Sequence, residues 1–391
     1  MHKLYYQDIH ITSFDALVTE CVREDGSGFY RIVLDRTAFF PEEGGQVADK
    51  GTINEESVLD VQIKEDTIYH LLKTPLTVGS TVHGEVDWQQ RFDFMQQHSG
   101  EHIISGLIHT HYGYDNVGFH LGLSEVTLDV NGSLNWEQLR AIEKEANQAI
   151  WSNLPIRILY PSPQELSDMQ YRSKLDLKEN VRLVEIPGID LCACCAPHVE
   201  STGQIGLIKI TNVQSHRGGV RINMLCGNRA LQDYTQKQDS VFRISTLLSA
   251  KQSAVSDAVL RLQEEQTKQK ERANYLQASL LELQIKSLPT PDQTENVLLF
   301  VEDMDAIAMR NAVNRLTEKY NGYCGIFAGD EQNGYHFTIG SLNKDCRELA
   351  NQLRQAFQAK GGGTAPMIQG SIRQKKAEIE LFFANNQNAL A

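Results

Sequence analysis

The chain of 391 residues is long enough for two or three domains, and 41% hydrophobic against 22% charged residues is the balance of a soluble globular protein. No run of about 18 apolar residues occurs, which argues against a membrane span. The formal net charge of −13 argues against a general nucleic-acid-coating protein, which would be basic, but leaves room for a local patch that grips one structured RNA.

The first ninety residues alternate short apolar runs with turn signals such as Glu24-Asp25-Gly26-Ser27-Gly28. Ala16–Val22, Phe29–Leu34, Val58–Ile63, Ile68–Leu72 and Thr81–Val86 read as strands, and a small β-barrel over 1–90 is the expectation. From Trp88 the spacing turns helical, with Phe92, Met95, Ile103, Leu107 and Ile108 three or four apart through His109. Strands follow near Gly118–Leu123 and Glu125–Val130. A second helix is expected over Asn135–Asn153, capped by Asn135 with Gln138 at the third helical position. Strands at Ile156–Tyr160, Val181–Val184, Ile205–Val213 and Val220–Leu225 complete an α+β unit over 91–228.

Between Gly227 and Pro289 the chain holds neither glycine nor proline and is rich in Gln, Leu, Ala, Lys and Glu. This predicts a helical hairpin over 229–288, with Ser253 or Ser256 capping the second arm. Pro289-Thr290-Pro291 marks a boundary. Beyond it, strands at Val297–Val301, Gly325–Ala328 and His336–Ile339 and helices at Asp305–Tyr320 and Lys344–Ala359 predict a C-terminal α/β domain over 289–391. The glycine run Gly361-Gly362-Gly363 and a last helix from about Pro366 would close it. The fold class expected for the whole is α+β.

Seven cysteines, three of them at 192, 194 and 195, read as reduced thiols available in part to a metal, not as a disulfide framework. MHKLYYQDIHITSFD at the start has no apolar core of a secretion signal, so the expected location is the cytoplasm.

Two pairs carry the chemistry: His98-Ser99-Gly100-Glu101-His102, and Cys194-Cys195-Ala196-Pro197-His198. His98 and His102 share one helix face with Cβ atoms about 6 Å apart, which suits two imidazoles on one metal. Gly100 costs the helix about 1 kcal/mol relative to alanine and points to a close approach of backbone or ligand. Pro197 places Cys194 and His198 on a turn. Cys192 and Cys195 compete as ligands by spacing alone. Two ordinary surface histidines are the plain alternative for the first pair taken by itself; the second pair is what weighs against that.

These residues, with CACCAPHVESTGQIGLIKI and RGGVRI, resemble the editing domain of alanyl-tRNA synthetases and the free-standing alanyl-tRNA editing proteins. Thr37-Ala38-Phe39-Phe40-Pro41-Glu42-Glu43-Gly44-Gly45-Gln46 is similar to a threonine-to-glutamine element of that family. Gly361-Gly362-Gly363-Thr364-Ala365-Pro366 is similar to a glycine-rich segment of the synthetases' C-terminal domain. Cys195-Ala196-Pro197 stands where the family usually has Gly-Gly-Thr.

The resemblance implies the long, free-standing form. Its activity would be hydrolysis of mischarged Ser-tRNA(Ala), and of Gly-tRNA(Ala) as a second substrate, by zinc-assisted ester cleavage without ATP. It implies Zn2+ on His98, His102, Cys194 and His198. Thr37 is the candidate to read the serine hydroxyl, because a site that hydrogen-bonds a hydroxyl rejects the analogue lacking it. Gln46 would position substrate or water, and Glu101 would act as base or orient a ligand. Gly44, Gly45, Arg221, Gly361, Gly362 and Gly363 are the candidate substrate-binding residues. The C-terminal domain would hold the tRNA or mediate a homodimer, with Lys360, Arg373, Lys375 and Lys376 as a basic patch. Two rivals remain: a zinc hydrolase of the same fold acting on a small ester or amide, and a non-catalytic tRNA-binding module with a structural zinc.

Overall fold

A computed structural model describes residues 1–24, 26, 28–173, 181–291 and 295–385, so Asp25 and Ser27 of the first turn cluster lie outside the described residues. The chain divides into two compact units, Met1–Ile244 and Ser245–Ala391. Its architecture is mixed α+β, with several sheets.

In the first unit the strand Ser13–Arg23 organises a seven-stranded antiparallel sheet. Phe14, Ala16 and Val18 alternate inward, the period-two signature of a strand with one wet face. Its first half pairs with Thr81–Val86 and its second with Tyr30–Leu34, and the register shifts between Val18 and Glu20 where it passes from one neighbour to the other. The strand order is Glu56–Ser57, Gly51–Ile53, Thr81–Val86, Ser13–Arg23, Tyr30–Leu34, Thr67–Leu72, Asp60–Lys64. Among the described residues the sheet has two ends, and it packs around Phe39, Phe40 and Ile32.

Helix α1 (Trp88–Tyr112) begins at Asp87, whose side chain accepts the Gln90 N–H, and ends at Gly113 in the left-handed region. Every residue from Phe94 to Ile108 is buried. Polar side chains in such a helix must find partners inside the protein. Gln97 accordingly donates to the Cys226 carbonyl at 3.0 Å and accepts the Cys226 N–H at 2.7 Å. Gly100 meets the same strand: a Cβ there would lie 2.3 Å from Cys226 Sγ, so the close approach expected of this glycine is to a neighbouring strand. At its start α1 is tied by a buried ion pair to the loop that follows Arg36–Thr37. Arg91 grips Asp49 through Nε at 2.9 Å and through Nη2, which also reaches the Ala38 carbonyl at 2.5 Å.

A four-stranded antiparallel sheet, in the order Asn116–Leu121, Val126–Val130, Gly219–Cys226, Ile208–His216, packs with α1 and α2 (Trp136–Trp151) into one core. Helix α2 opens with the expected reciprocal cap between Asn135 and Gln138. A short helix α3 (Pro163–Asp168) follows the first strand of a three-stranded sheet of Arg157–Leu159, Leu183–Ile186 and Asp190–Ala193. The last of these strands delivers the chain into the Cys194–His198 turn.

The glycine- and proline-free stretch forms α4 (Gly227–Leu247) and α5 (Val255–Lys286). Ser253 lies in a 3-10 turn and Ser256 inside α5, whose cap position is Ala254, so neither serine caps it. In the second unit a five-stranded sheet runs Val297–Val301, Cys324–Asp330, Gly334–Gly340, Met367–Ile372, Lys360–Thr364, parallel only in its first pair. Helix α6 (Ala306–Thr317) covers one face through Met309, Val313 and Leu316, joined by Leu281 and Ile285 of α5. Helices α7 (Cys346–Phe357) and α8 (Lys376–Asn385) cover the other. The helix expected from about Pro366 is instead the strand Met367–Ile372, which pairs with the glycine run. Ile368 and Ile372, four apart, fit either element, and pairing on both sides, with Gly334–Gly340 and with Lys360–Thr364, is what makes it a strand. No described helix is long and apolar enough to cross a membrane.

Candidate metal centre

Helix α1 presents His98 and His102 one turn apart, with ring centroids separated by 5.5 Å. Facing them, the turn after Asp190–Ala193 supplies a thiol and a third imidazole. Cys194 Sγ lies 3.3 Å from His198 Nε2 and 3.5 Å from His98 Nε2. One ligand atom from each of His98, His102, Cys194 and His198 lies within 4.8 Å of all the others. Cys195 is not in this group, and Cys192 groups with His102 and Asp190 instead.

Each imidazole is fixed from behind. His98 Nδ1 donates to Gln46 Oε1 at 2.9 Å, His102 Nδ1 to Asp190 Oδ2 at 2.9 Å, and His198 Nδ1 to Ser99 Oγ at 3.0 Å. With Nδ1 engaged from behind, Nε2 is the nitrogen that faces the shared space, which is how metal-binding histidines are held. Asp190 is itself gripped by Arg172, Nε to Oδ1 at 2.7 Å and Nη2 to Oδ2 at 2.9 Å, and the same Nη2 reaches Ser105 Oγ at 2.7 Å.

The electrostatics separate the three clustered thiols. Burial pushes all of them up. At Cys194 the His98 and His198 imidazoles, with hydrogen bonds from His102 and His198, outweigh burial and hold the thiol well below its usual range. Cys192 is pushed up to about 11 and Cys195 further, burial dominating in both. Burial also works against charge on His102, but hydrogen bonds to Asp190 and Cys194 hold its pKa well above the usual value. His198 is pushed down to about 3 by burial. Three imidazole nitrogens and one sulfur poised as thiolate make a donor set that suits zinc. The centre opens into a cavity of about 1530 Å3, whose wall includes His98, His102, Cys194, Glu101, Glu43 and Gly44.

Three segments match described families. Residues 181–223 match the threonyl and alanyl tRNA synthetase second additional domain, residues 5–90 the class II (A) tRNA synthetases, and residues 294–388 the DHHA1 domain. Alanyl-tRNA editing protein Aarsd1 of Rattus norvegicus is 28% identical, covering 96% of each chain. Alanyl-tRNA editing protein AlaX-L of Pyrococcus horikoshii is 26% identical over 97% of this chain and 96% of its own. An alanine–tRNA ligase of Ignicoccus hospitalis is 29% identical over 78% of this chain but only 35% of its own. The chain is related to the free-standing alanyl-tRNA editing proteins. It is likewise similar to part of the much longer alanine–tRNA ligases.

The other residues singled out from the alanyl-tRNA editing motifs do not all reach the cavity. Glu101 does: one oxygen accepts from Asn116 Nδ2 at 2.7 Å, and no partner for the other occurs among the described residues. Gly44 lines the wall. Gln46 lies behind His98, and its Nε2 is buried without a partner among the described residues. Gly45, with φ of 85°, serves the neighbouring strand: a Cβ there would sit 2.3 Å from the Phe119 carbonyl oxygen. Thr37 is fully buried away from the wall. His70 Nδ1 donates to the Ile32 carbonyl, so the Thr37 hydroxyl donates to His70 Nε2 at 2.8 Å and accepts the Phe39 N–H at 3.1 Å. Arg221 pairs with Asp129 through two bonds of 2.6 and 2.7 Å and does not line the cavity. Gly361, Gly362 and Gly363 belong to the second unit. There Gly362 and Gly363 border a separate cavity of about 340 Å3 with Arg310, Thr364, Met367 and Gln369.

Sequence reasoning missed Asp190, Arg172, Ser99, Ser105 and Asn116. Ser99 sits beside His98, and Asp190 four residues before Cys194, so proximity to the motifs was the available signal. Their pairings span up to 99 residues and leave no periodic trace.

Proposed function

We propose that the chain is a trans-editing aminoacyl-tRNA hydrolase that removes serine, and as a second substrate glycine, from mischarged tRNA(Ala). The observation that carries this reading is the convergence of His98, His102, Cys194 and His198, the first three of them in a cavity wall, in a chain similar over 96–97% of its length to proteins named for alanyl-tRNA editing. These four residues would hold zinc. When bound, zinc polarises an ester carbonyl or lowers the pKa of a water toward ~7.

The chain's own residues do the rest. Gln46, Asp190 and Ser99 hold the three rings in one tautomer, so that no reorganisation is needed as substrate arrives. Glu101 takes up a proton: Asn116 fixes one oxygen and leaves the other to the cavity. Glu43 places a second carboxylate in the same wall, a counter-charge for the substrate's ammonium group. Gly44 lets the terminal ribose approach the backbone. Thr37 acts as a positioning residue, bracing the turn that leads to Gly44. Arg221 supports the four-stranded sheet through Asp129.

In this reading residues 1–228 bind and cleave the ester. The C-terminal α/β unit holds the body of the tRNA and offers a homodimer contact, its glycine strand and Arg310 framing a small cleft. The enzyme works in the cytoplasm. Deacylation assays on Ser-, Gly- and Ala-charged tRNA(Ala), with and without a chelator, test the proposal. Release of serine that stops on chelation and returns with zinc is expected. Equal turnover of a small seryl ester and the tRNA would favour a small-ester hydrolase, and zinc content without any turnover would favour a binding module.

A further inference from the structure

The cavity is larger than an aminoacyl group requires. Pockets that enclose a drug-sized molecule hold about 300–1,000 Å3, and this one reaches about 1530 Å3. Its wall changes character one step away from the thiol ligand. Arg182 Nη1 donates to the carbonyls of Cys194 and Ala196 at 2.7 and 3.0 Å. The same guanidinium stacks over the Tyr6 ring, 5.1 Å from its centroid, and Lys3 Nζ lies 5.9 Å from that centroid. Tyr6 is braced edge-on by Tyr5 at 4.6 Å. Tyr160 lines the same cavity with 61% of its surface exposed, a large aromatic face with little to cover it.

We propose that Tyr160 and Tyr6, with Arg182 and Lys3, form a subsite that stacks the terminal nucleobase of a ribose ester whose acyl group lies at the metal centre. The proposal rests on the deacylase reading for the identity of the ester. Aromatic faces interleaved with cations are the chemistry by which unpaired bases are held, because every base has a π-face while the preceding phosphate needs a positive charge. In a chain of net charge −13, two cations converge on this one tyrosine ring. Arg172, the other guanidinium in this wall, is engaged by Asp190. Among the described residues Lys3 has the exposed Asp66, at 3.2 Å, as its ion-pair partner, and so can turn to a phosphate. Because Arg182 holds the carbonyl of Cys194, base stacking and placement of the ester are mechanically joined.

Titration calorimetry of the zinc-loaded protein with the non-hydrolysable 3′-seryl amide of 3′-amino-3′-deoxyadenosine tests this, with the N-methyl amide of serine as the nucleoside-free control. The Tyr160→Ala variant should bind the nucleoside ligand about 10-fold more weakly, a loss about 10-fold greater than for the control. Tyr160→Phe, which keeps the ring, should restore binding. Equal affinity of Tyr160→Ala and wild type, an equal loss for both ligands, or no binding of the nucleoside ligand to wild type would overturn the subsite. Deacylation of Ser-tRNA(Ala) by wild type is measured beside it. Its absence, with the binding pattern intact, would remove the deacylase reading and leave the nucleoside subsite standing.

Discussion

Two buried arginine–aspartate pairs in the first unit have nearly the same chemistry and different consequences. Arg91 and Asp49 are sealed off, at 0% and 1% side-chain exposure, and their remaining bonds go to the backbone, at the Ala38 carbonyl and the Phe40 N–H. Arg172 and Asp190 are almost as buried, at 14% and 1%, but the remaining bond of Asp190 goes to His102 Nδ1, whose other nitrogen faces the thiol. The first pair ends in main chain and locks a helix to a loop. The second ends in an imidazole and sets the direction of a lone pair. What a buried ion pair does is decided by its third partner, not by its depth.

The largest effect expected is from the ligands themselves. The double variant His98→Ala, His102→Ala should lose bound zinc and all measurable deacylation of Ser-tRNA(Ala) while keeping its far-UV circular dichroism; retained metal at full stoichiometry would break the comparison at its functional end. Next comes Arg91→Met, which leaves Asp49 buried without its cation and should lower unfolding stability by about 3–5 kcal/mol in urea titrations. Zinc affinity of its folded fraction should stay near wild type. Asp190→Asn should do the opposite, weakening zinc by about 10–100-fold in competition with a chelator and costing less stability than Arg91→Met. If the two variants lose stability and zinc in the same proportion, the distinction between the pairs is wrong.

A smaller effect concerns His70, which burial pushes down to about 4 from the usual 6.5. Its folded pKa lies below its unfolded value, so the stability it confers is complete above pH 6.5 and declines as the pH falls toward 4. At pH 5 the loss is about 2 kcal/mol relative to pH 7. The variant His70→Gln should show a shallower decline in urea midpoints between those pH values.

The same contrast explains what was legible in the sequence. His98 and His102, and Cys194 and His198, are neighbours along the chain, so spacing alone brought each pair together; the cap of Asn135 and Gln138 is local in the same way. The supporting residues are not local. Asp190 meets His102 across 88 positions and Thr37 meets His70 across 33. That is why a motif threonine expected to face substrate turns inward, and why Arg221 is found in the grip of Asp129. The strand at Met367–Ile372 was hidden by the opposite error. Glycine and proline punctuate its start, and its two isoleucines, four apart, fit a strand only once the partner strands are in place. Arg182, Tyr6 and Tyr160 meet from three separate segments, which no single-sequence pattern would have joined.

The central claim is that one thiolate and three imidazoles share a single ion. X-ray absorption at the zinc edge of the purified, zinc-loaded protein tests it directly. The account predicts one sulfur at about 2.3 Å and nitrogens at about 2.0–2.1 Å around the metal. A shell with no sulfur, or with two or more, would contradict it.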